Sequence, residues 1–393
     1  MTTGDEVVTG AAWQGFCARL AAVGERILAD DFPADEADRA EGFRHLANQV
    51  ACWLTYALGH TDPAHPAFFR SSDLIYLWGG PNADQVARRA MISGDGTYRV
   101  SGNMGSCEEF VLQVKLGRTQ SGGADVSSEL YASTLGLGPG EDFEIILSQT
   151  PQPGRWMALD PDAAFVHVRD YYFDWQAREP ATFVIERLDT QGTPAPPATP
   201  DRVAQMLDEA AHEVEHSMVF WKDYQERLRA GQTINAFGPP AYVPRGVQDI
   251  VYSHAFVALP DHEALVVELD RSAAELWDIQ LYNRAWYEAL DYAGRVTSLN
   301  HRQVRIDADG RARIVIAATD PGVGNWLDTA ERAEVMATIR WWRPPVIPTV
   351  HAQLVPRAGL GAVLPSGTPV LDVTARQEQL RRRSAHAAWR YRT

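Results

Sequence analysis

The chain has 393 residues, which is enough for two or three domains that each bury a hydrophobic core. Hydrophobic residues make up 45% of it and charged residues 22%, as is ordinary for a globular protein, and the formal net charge is −15. We expect neither nucleic acid nor a membrane surface as a partner, because both require basic patches that an acidic chain does not favour.

We expect a cytoplasmic protein whose N-terminal region is helical. Residues 1–10 contain no basic or apolar segment typical of a secretory signal, and no apolar run approaches the ~20 residues of a membrane helix. Three scattered cysteines, Cys17, Cys52 and Cys107, indicate buried free thiols in a reducing compartment. Apolar residues recur at helical spacing over residues 11–60, so residues 1–87 are predicted to be an N-terminal helical segment.

From residue 88 the hydrophobic period changes to two. Segments such as "GTYRVSGN" and "DFEIILSQ" are rich in β-branched and aromatic residues and are separated by Gly, Pro and Asp. They predict an antiparallel β-sandwich over residues 88–190, since there is no β-α-β rhythm and no Gly-rich phosphate loop. Residues 191–230 are predicted to form a stiff Pro-rich linker and a helix.

The stretch "AHEVEH" in this helix fits the H-E-x-x-H pattern of zinc proteases. His212 and His216 share one helix face, with Glu213 beside them. Their face is opposite the apolar stripe centred on Val214 and is therefore predicted to meet solvent. Glu215 before the second histidine, and the lack of a motif for a third ligand, also disfavour zinc. We predict no metal site, and the alternative is a zinc hydrolase that uses these residues.

Strands resume after the helix and predict a second β-sandwich over residues 231–348. Residues 349–393 are predicted to be a tail that ends in the basic, helical stretch "RQEQLRRRSAHAAWRYRT". We expect its charge run to be a solvated face.

Tryptophans and polar residues are dense between residues 275 and 342. On the strand "ELWDIQLYN", alternation directs Trp277 to one face and Gln280 to the other, where polar residues meet water or line a cavity. Such a composition suits a pocket that stacks a flat or sugar-like ligand and hydrogen-bonds its edges. The alternative is that the tryptophans are core residues and the polar residues cap turns. The predicted ligand-binding residues are Trp277, Gln280, Asn300, Asn325, Trp326, Asp328 and Arg340.

An acid–base pair is predicted from the same region. His301 lies near a strand start and Asp320 follows a strand end, and the two would be the catalytic residues of an enzyme.

The stretches "LYNRAWYEALDY", "SLNHRQ", "DADG" and "DPGVGNWLDTA" resemble the proteins that carry the domain of unknown function 1214 (DUF1214). A looser likeness to actinobacterial members extends over most of the chain. The resemblance implies the two-sandwich arrangement of DUF1254/DUF1214 proteins, with a jelly-roll-like C-terminal domain, and it implies no general activity. Relatives tend to read "PNWLDTAGH", whereas here Gly324 replaces the proline and Glu331–Arg332 replace Gly-His. Chemistry that needs this histidine would be altered or absent in this chain.

The sequence thus predicts a mainly β protein with helical additions, built from two antiparallel β-sandwich domains, an N-terminal helical segment and a linking helix. We expect it to bind a small molecule in the C-terminal sandwich and, if catalytic, to be a hydrolase or lyase without a cofactor. One alternative is the zinc hydrolase. The other is a non-catalytic interaction protein, with the tryptophans in an exposed patch that favours an oligomer.

Overall fold

The computed structural model describes residues 4–59, 62–117, 125–244, 246–270 and 274–392. These residues form four β-sheets and six α-helices, so the predicted mainly β architecture is confirmed. No helix among them is long and apolar enough to cross a membrane. The chain divides into two compact units: unit 1 comprises Met1–Tyr76, Gln85–Tyr171 and Glu179–Asp223, and unit 2 comprises Leu77–Asp84, Tyr172–Arg178 and Tyr224–Thr393.

Unit 1 opens with three helices, α1 (Gly4–Val8), α2 (Ala11–Arg26) and α3 (Glu36–Gly59). Its nine strands are β1 (Phe69–Ser72), β2 (Gln85–Met91), β3 (Tyr98–Asn103), β4 (Glu109–Lys115), β5 (Val126–Tyr131), β6 (Asp142–Ser148), β7 (Trp156–Ala158), β8 (Phe165–Tyr171) and β9 (Thr182–Arg187). Sheet A has the order β1-β2-β8-β4-β5 and sheet B the order β7-β6-β3-β9. The ring of Phe110 in sheet A lies 5.2 Å from Phe143 and 5.6 Å from Phe183 in sheet B, so the two sheets pack face to face.

The cysteines of unit 1 differ in exposure. Cys52 on α3 and Cys107 before β4 are buried and free, as predicted. Cys17 is exposed, so the prediction of a buried thiol is wrong there: it follows the buried Phe16 on α2 and falls outside the buried stripe of that helix.

Helix α4 (Pro200–Ala230) follows the linker, and unit 2 then supplies the second set of nine strands. These are β10 (Ala241–Tyr242), β11 (Ile250–Ala258), β12 (Glu263–Asp270), β13 (Leu276–Asn283), β14 (Ser298–Asn300), β15 (Arg311–Ala317), β16 (Trp326–Asp328), β17 (Glu334–Trp342) and β18 (Val350–Pro356). Sheet C has the order β10-β11-β17-β13-β14 and sheet D the order β16-β15-β12-β18. Their inner faces share one hydrophobic cluster, with Trp277 and Trp341 from sheet C and Leu265 and Ile314 from sheet D.

The strand order of unit 2 repeats that of unit 1 strand for strand. Each strand of sheets A and B has its counterpart nine strands later in sheets C and D. Even the two parallel pairs, β6 with β7 and β15 with β16, correspond. The two units are therefore copies of one nine-stranded sandwich.

The C-terminal residues are part of unit 2 and not a solvated tail. After the short helix α5 (Leu360–Val363), helix α6 (Val373–Tyr391) buries Arg376, Arg383 and Arg390. These three are seven residues apart and so lie on one helix face. The expectation of a solvated charge run is wrong for this face, although Arg381 remains exposed.

Arg383 anchors α6 to sheet C through hydrogen bonds to backbone. Its guanidinium donates to the carbonyl oxygens of Tyr292 at 2.8 Å, Arg295 at 3.1 Å and Ser298 at 3.0 Å, and to the Ser298 hydroxyl at 2.8 Å. Without the arginine these acceptors would lose a donor, and a buried polar group that loses a hydrogen bond is costly.

We predict that Arg383→Met lowers the free energy of unfolding by about 3 kcal/mol, because it removes five hydrogen bonds to buried or partly buried acceptors. The matched control is Arg381→Met, which removes an exposed ion pair with Glu378 and should leave the free energy of unfolding almost unchanged. Urea denaturation followed by tryptophan fluorescence measures both. Equal effects of the two substitutions would contradict the anchoring role.

Candidate functional site

The outer face of sheet C, turned away from the sandwich core, carries two neighbouring rows of polar side chains. Residues that lie opposite one another on adjacent strands form each row, and side chains two apart on a strand share a face. The first row is Tyr252, Arg340, Asp278 and Asn300, and the second is His254, Thr338, Gln280 and Ser298. All but Tyr252 are buried. The polar side of β13 therefore does not face water.

Two segments from the first half of the chain belong to unit 2 and lie on this face. Asn82 donates from Nδ2 to Asp278 at 2.8 Å, and the backbone N–H of Ala83 donates to Gln280 Oε1 at 2.8 Å. Asn300 donates to the carbonyl oxygen of Phe173 at 3.0 Å. The polar rows are thus satisfied largely by Leu77–Asp84 and Tyr172–Arg178.

A pair of buried carboxyl groups occupies one end of the first row. Oδ1 of Asp84 accepts hydrogen bonds from Trp175 Nε1 and Asn300 Nδ2, both at 2.6 Å. Asp278 accepts one from Arg340 at 3.0 Å. Burial, with the charge of Asp278, raises the pKa of Asp84 to about 7. Burial also raises the pKa of Asp278, but the Arg340 guanidinium opposes this, so the proton of the pair resides on Asp84.

Tyrosines surround Arg340 at the other end, and we call Tyr224, Tyr252, Tyr282 and Tyr287 the tyrosine cluster. The guanidinium lies 5.6 Å from the ring centroids of Tyr252 and Tyr282 and donates to the Tyr282 hydroxyl at 2.6 Å. Tyr287 packs 5.2 Å from Tyr282 and 5.4 Å from Tyr224. Tyr224 and Tyr252 are only half-buried, so this end of the face meets solvent.

Tyr287 is held in a strained backbone conformation. Its φ of 54° lies in the left-handed region, which an aromatic residue rarely adopts. The N–H of Gly80 donates to the Tyr287 carbonyl at 2.9 Å. Gly80 itself has φ +64°, and a Cβ there would lie 2.2 Å from the Tyr287 ring. Only glycine therefore permits both the turn and the contact.

Two buried nitrogen atoms in the second row have no hydrogen-bond partner within the described ranges: His254 Nε2 and Gln280 Nε2. They belong to the residues on either side of Thr338, whose hydroxyl lies 3.0 Å from His254 Nδ1. Burial lowers the pKa of His254 to about 3, so the imidazole is neutral. Unpaired buried nitrogens are uncommon in folded proteins and mark places where a water or ligand atom fits.

Three of the predicted ligand-binding residues, Gln280, Asn300 and Arg340, come together on this face. Trp277 instead enters the core between sheets C and D. Trp326 packs in a separate cluster with Val315 and others, and its Nε1 donates to a backbone carbonyl at 3.0 Å.

The loop residues Asn325 and Asp328 hold backbone in place. The Asn325 amide donates to the carbonyls of Arg305 at 2.7 Å and Arg313 at 3.0 Å. Asp328 accepts from the N–H of Ala330 at 2.7 Å and pairs with Arg295 at 3.0 Å. These contacts correspond to the turn-forming alternative.

The structure does not bring His301 and Asp320 together. The Asp320 carboxylate pairs with Arg376 on α6 at 2.9 Å. The His301 ring packs edge-on against Phe173 with centroids 5.1 Å apart, and burial lowers its pKa to about 4. Among the residues that the structure describes, no hydrogen bond or ion pair links the two.

The histidines of "AHEVEH" lie on the exposed side of α4, as the apolar stripe predicts. His212 and His216 are exposed, with ring centroids 3.9 Å apart, whereas Glu213 is buried. Glu215 forms an ion pair with Arg19 on α2 at 2.6 Å. Within the described part of the chain, no group of three His, Cys, Asp or Glu side chains has a geometry that could hold a metal ion.

Sequence reasoning missed Asp84, Trp175 and the tyrosine cluster. Asp84 lies 216 residues before Asn300 on β14, and Trp175 reaches this site through Asp84, 91 residues before it, so no local period connects the two with sheet C. The one available sequence signal for this site was the alternation on β13, which placed polar side chains on the other face of the strand from Trp277.

We predict that Asp84→Asn changes the pH dependence of stability. The pKa of Asp84 rises from 3.8 to about 7 on folding, so the folded state keeps a proton that the unfolded chain loses above pH ~4. The contribution of Asp84 to the free energy of unfolding therefore falls as pH rises from about 4 to about 7. Asparagine keeps the acceptor oxygen and cannot ionise. Relative to the wild type, the variant should gain up to about 1.4 kcal/mol per pH unit in this window.

Urea denaturation of both proteins between pH 4 and 8 measures this difference, and contributions from the histidines cancel in it. Parallel stability curves for the two proteins would show that Asp84 does not hold the proton.

We also predict that Gly80→Ala destabilises unit 2 more than Gly310→Ala does. Both glycines have positive φ, +64° and +82°, but nothing lies within 4 Å of a Cβ at Gly310. The control thus reports backbone strain of about 1 kcal/mol, and the excess at Gly80 reports displacement of the Tyr287 ring. Thermal or urea unfolding measures both variants; equal losses would mean that Tyr287 moves aside without cost.

Comparisons with known proteins place the fold. A family model described as a protein of unknown function (DUF1214) matches residues 262–346. The crystal structure of an uncharacterised protein from Burkholderia cenocepacia is 32% identical, with a TM-score of 0.83, over 91% of this chain and 100% of that one. A Vibrio parahaemolyticus protein is 13% identical over 79% of this chain and 98% of its own, with a TM-score of 0.45. No curated protein matches the chain.

Proposed function

The chain belongs to the DUF1214 family of proteins of unknown function, and for this member we propose that the outer face of sheet C binds a small molecule with a flat or sugar-like ring. The observation that carries the proposal is a pair of buried nitrogens, His254 Nε2 and Gln280 Nε2, that have no hydrogen-bond partner among the described residues. Polar atoms buried without partners cost stability unless something else satisfies them.

The tyrosine cluster supplies the apolar surface for such a ring. Tyr252 is the half-buried member of the first row, and its ring lies 6.3 Å from that of His254 in the second. A ligand that enters beside Tyr252 would stack on an aromatic face and hydrogen-bond His254 and Gln280 at its edge. The tyrosines thus take the role that the sequence assigned to Trp277 and Trp326.

The carboxyl pair of Asp84 and Asp278 would supply acid–base chemistry on the same outer face of sheet C. Protonated Asp84 would act as the acid and ionised Asp278 as the base, which replaces the predicted pair of His301 and Asp320. Hydrolysis or elimination needs no further cofactor in such a site. We accordingly propose a cytoplasmic hydrolase or lyase acting on a small ring compound.

Binding is tested by saturation-transfer NMR with a panel of neutral rings: glucose, galactose, phenol, benzyl alcohol and indole. At least one compound should bind the full chain, and His254→Asn should weaken that binding about tenfold. Asparagine mimics the Nδ1 position and so keeps the bond to Thr338, but it lacks a group at Nε2.

The control is His351→Asn on the exposed edge strand β18, which should leave binding unchanged. Failure of every compound to bind, or equal binding by the two variants, would contradict the proposal.

A further inference from the structure

The three buried arginines of α6 differ in what their guanidinium groups bind. In each, Nε and Nη2 form one edge with two adjacent N–H donors, which suits the two oxygens of a carboxylate. The edge of Arg376 donates to both oxygens of Asp320, at 2.9 and 3.1 Å. The same edge of Arg383 donates to the Tyr292 carbonyl and the Ser298 hydroxyl. The first two arginines of this face thus have acceptors at this edge.

Arg390, the third arginine of the face, has no acceptor at the same edge. Its Nη1 donates to the Ala83 carbonyl, whereas Nε and Nη2 have no hydrogen-bond partner among the residues that the structure describes. The side chain is only 3% exposed. Buried donors without acceptors are costly, most of all on a charged group. Two of them side by side mark a place where an acceptor with two oxygens fits.

Aromatic rings of unit 2 surround this guanidinium. Its Cζ lies 4.8 Å from the ring centroid of Trp175, 5.5 Å from that of Tyr391 and 5.8 Å from that of Tyr172. Aromatic rings attract a guanidinium through its planar faces. The rings therefore stabilise the cation in a buried place, while its Nε–Nη2 edge stays available to a ligand.

His386 lies four residues before Arg390, on the same side of α6. Its ring stacks on Trp175 with centroids 5.0 Å apart, and its Nδ1 donates to the Ala177 carbonyl at 3.2 Å. Burial, with the charge of Arg390, lowers the pKa of His386 to about 2, so the imidazole is neutral. The charges that contact Trp175 are thus those of Arg390 and of Arg383, whose Cζ lies 4.4 Å from the ring.

The edge of Arg390 is buried close to the surface of unit 2. Trp389, the preceding residue, is 48% exposed, and the guanidinium of Arg178 lies 5.8 Å from its ring centroid. Gln176 is exposed as well. A small ion therefore has to pass only a few side chains to reach Arg390, whereas the burial of the edge leaves little room for a large ligand.

We propose that a small carboxylate binds the Nε–Nη2 edge of Arg390, between α6 and the Tyr172–Arg178 segment. Its two oxygens would accept from the two adjacent donors, as the Asp320 carboxylate does at the same edge of Arg376. A carboxylate is planar and suits a space between flat rings, whereas phosphate is tetrahedral and chloride offers a single centre. The site does not require the ring ligand proposed for sheet C.

Asp84 is the titratable group that should respond to this anion. Burial and the charge of Asp278 raise its pKa to about 7, while the charge of Arg390 opposes this rise. Arg383 also interacts with Asp84, and His386 is neutral. A bound anion offsets the charge of Arg390, so the pKa of Asp84 should rise further. Because binding then favours the protonated form, it should weaken as pH rises through about 7.

The test is isothermal titration calorimetry of the full chain with sodium formate, acetate and propionate, in a buffer without other carboxylates. Chloride and inorganic phosphate are titrated separately. We expect formate or acetate to bind with one site per chain, about fivefold tighter at pH 6 than at pH 8.

NMR with aspartate labelled at Cγ with ¹³C provides a second readout on the wild type. The Asp84 signal is assigned by its loss in Asp84→Asn, and it should titrate at higher pH when the carboxylate is present.

Arg390→Lys keeps the charge and a donor for the Ala83 carbonyl but has no two-donor edge, so it should weaken carboxylate binding about tenfold. The control is Arg392→Lys, two residues later and exposed, which should leave binding unchanged.

Equal binding by the two variants would overturn the proposal, as would binding of chloride or phosphate alone. If Arg390→Lys does not fold, the wild type decides: no carboxylate binding, or an Asp84 pKa that saturating carboxylate leaves unchanged, would also overturn it. These outcomes are separate from the test of sheet C, which uses neutral rings and variants of His254 and His351.

Discussion

The ion pair between Arg340 and Asp278 is the interaction on which the arrangement of unit 2 depends. Both residues are almost fully buried, and the desolvation of two charges is repaid only when further hydrogen bonds satisfy them. Arg340 also donates to the Gly80 carbonyl at 3.0 Å and to Tyr282, and Asp278 accepts from Asn82. The pair therefore holds the Leu77–Asp84 segment on sheet C and places Arg340 among the tyrosines. It also keeps the proton of the carboxyl pair on Asp84.

The sequence predicted those features that depend on local periodicity. Alternation on β13 correctly separated Trp277 from Gln280, and the apolar stripe of α4 correctly left His212 and His216 exposed. Prediction from the sequence failed where residues far away in the chain determine the environment of a side chain. A tryptophan on a strand has the same pattern whether its ring enters the core or a ligand pocket, so Trp277 was assigned to the pocket.

The basic C-terminal helix shows the same limit. Charge composition favours solvent for a run such as Arg381 to Arg383, because most arginines are exposed. Only the seven-residue spacing of Arg376, Arg383 and Arg390 distinguishes the buried face. This spacing indicates burial only if backbone carbonyls lie opposite the arginines to accept their hydrogen bonds. Those carbonyls belong to residues around β14, and the sequence pattern of the helix does not predict their position.

Residues 77–84 and 172–178 belong to unit 2, whose other residues begin at Tyr224, and this order affects folding during synthesis. During synthesis these segments leave the ribosome long before the strands that they cover, and Ala83 is 307 residues ahead of its partner Arg390. Contacts of such long range form slowly, and strands that await them are exposed to aggregation. Unit 2 is thus completed only when helix α6 emerges, so a nascent chain released early would hold the covering segments but lack the helix whose Arg383 and Arg390 bind unit 2, and a chaperone would protect it best at that stage.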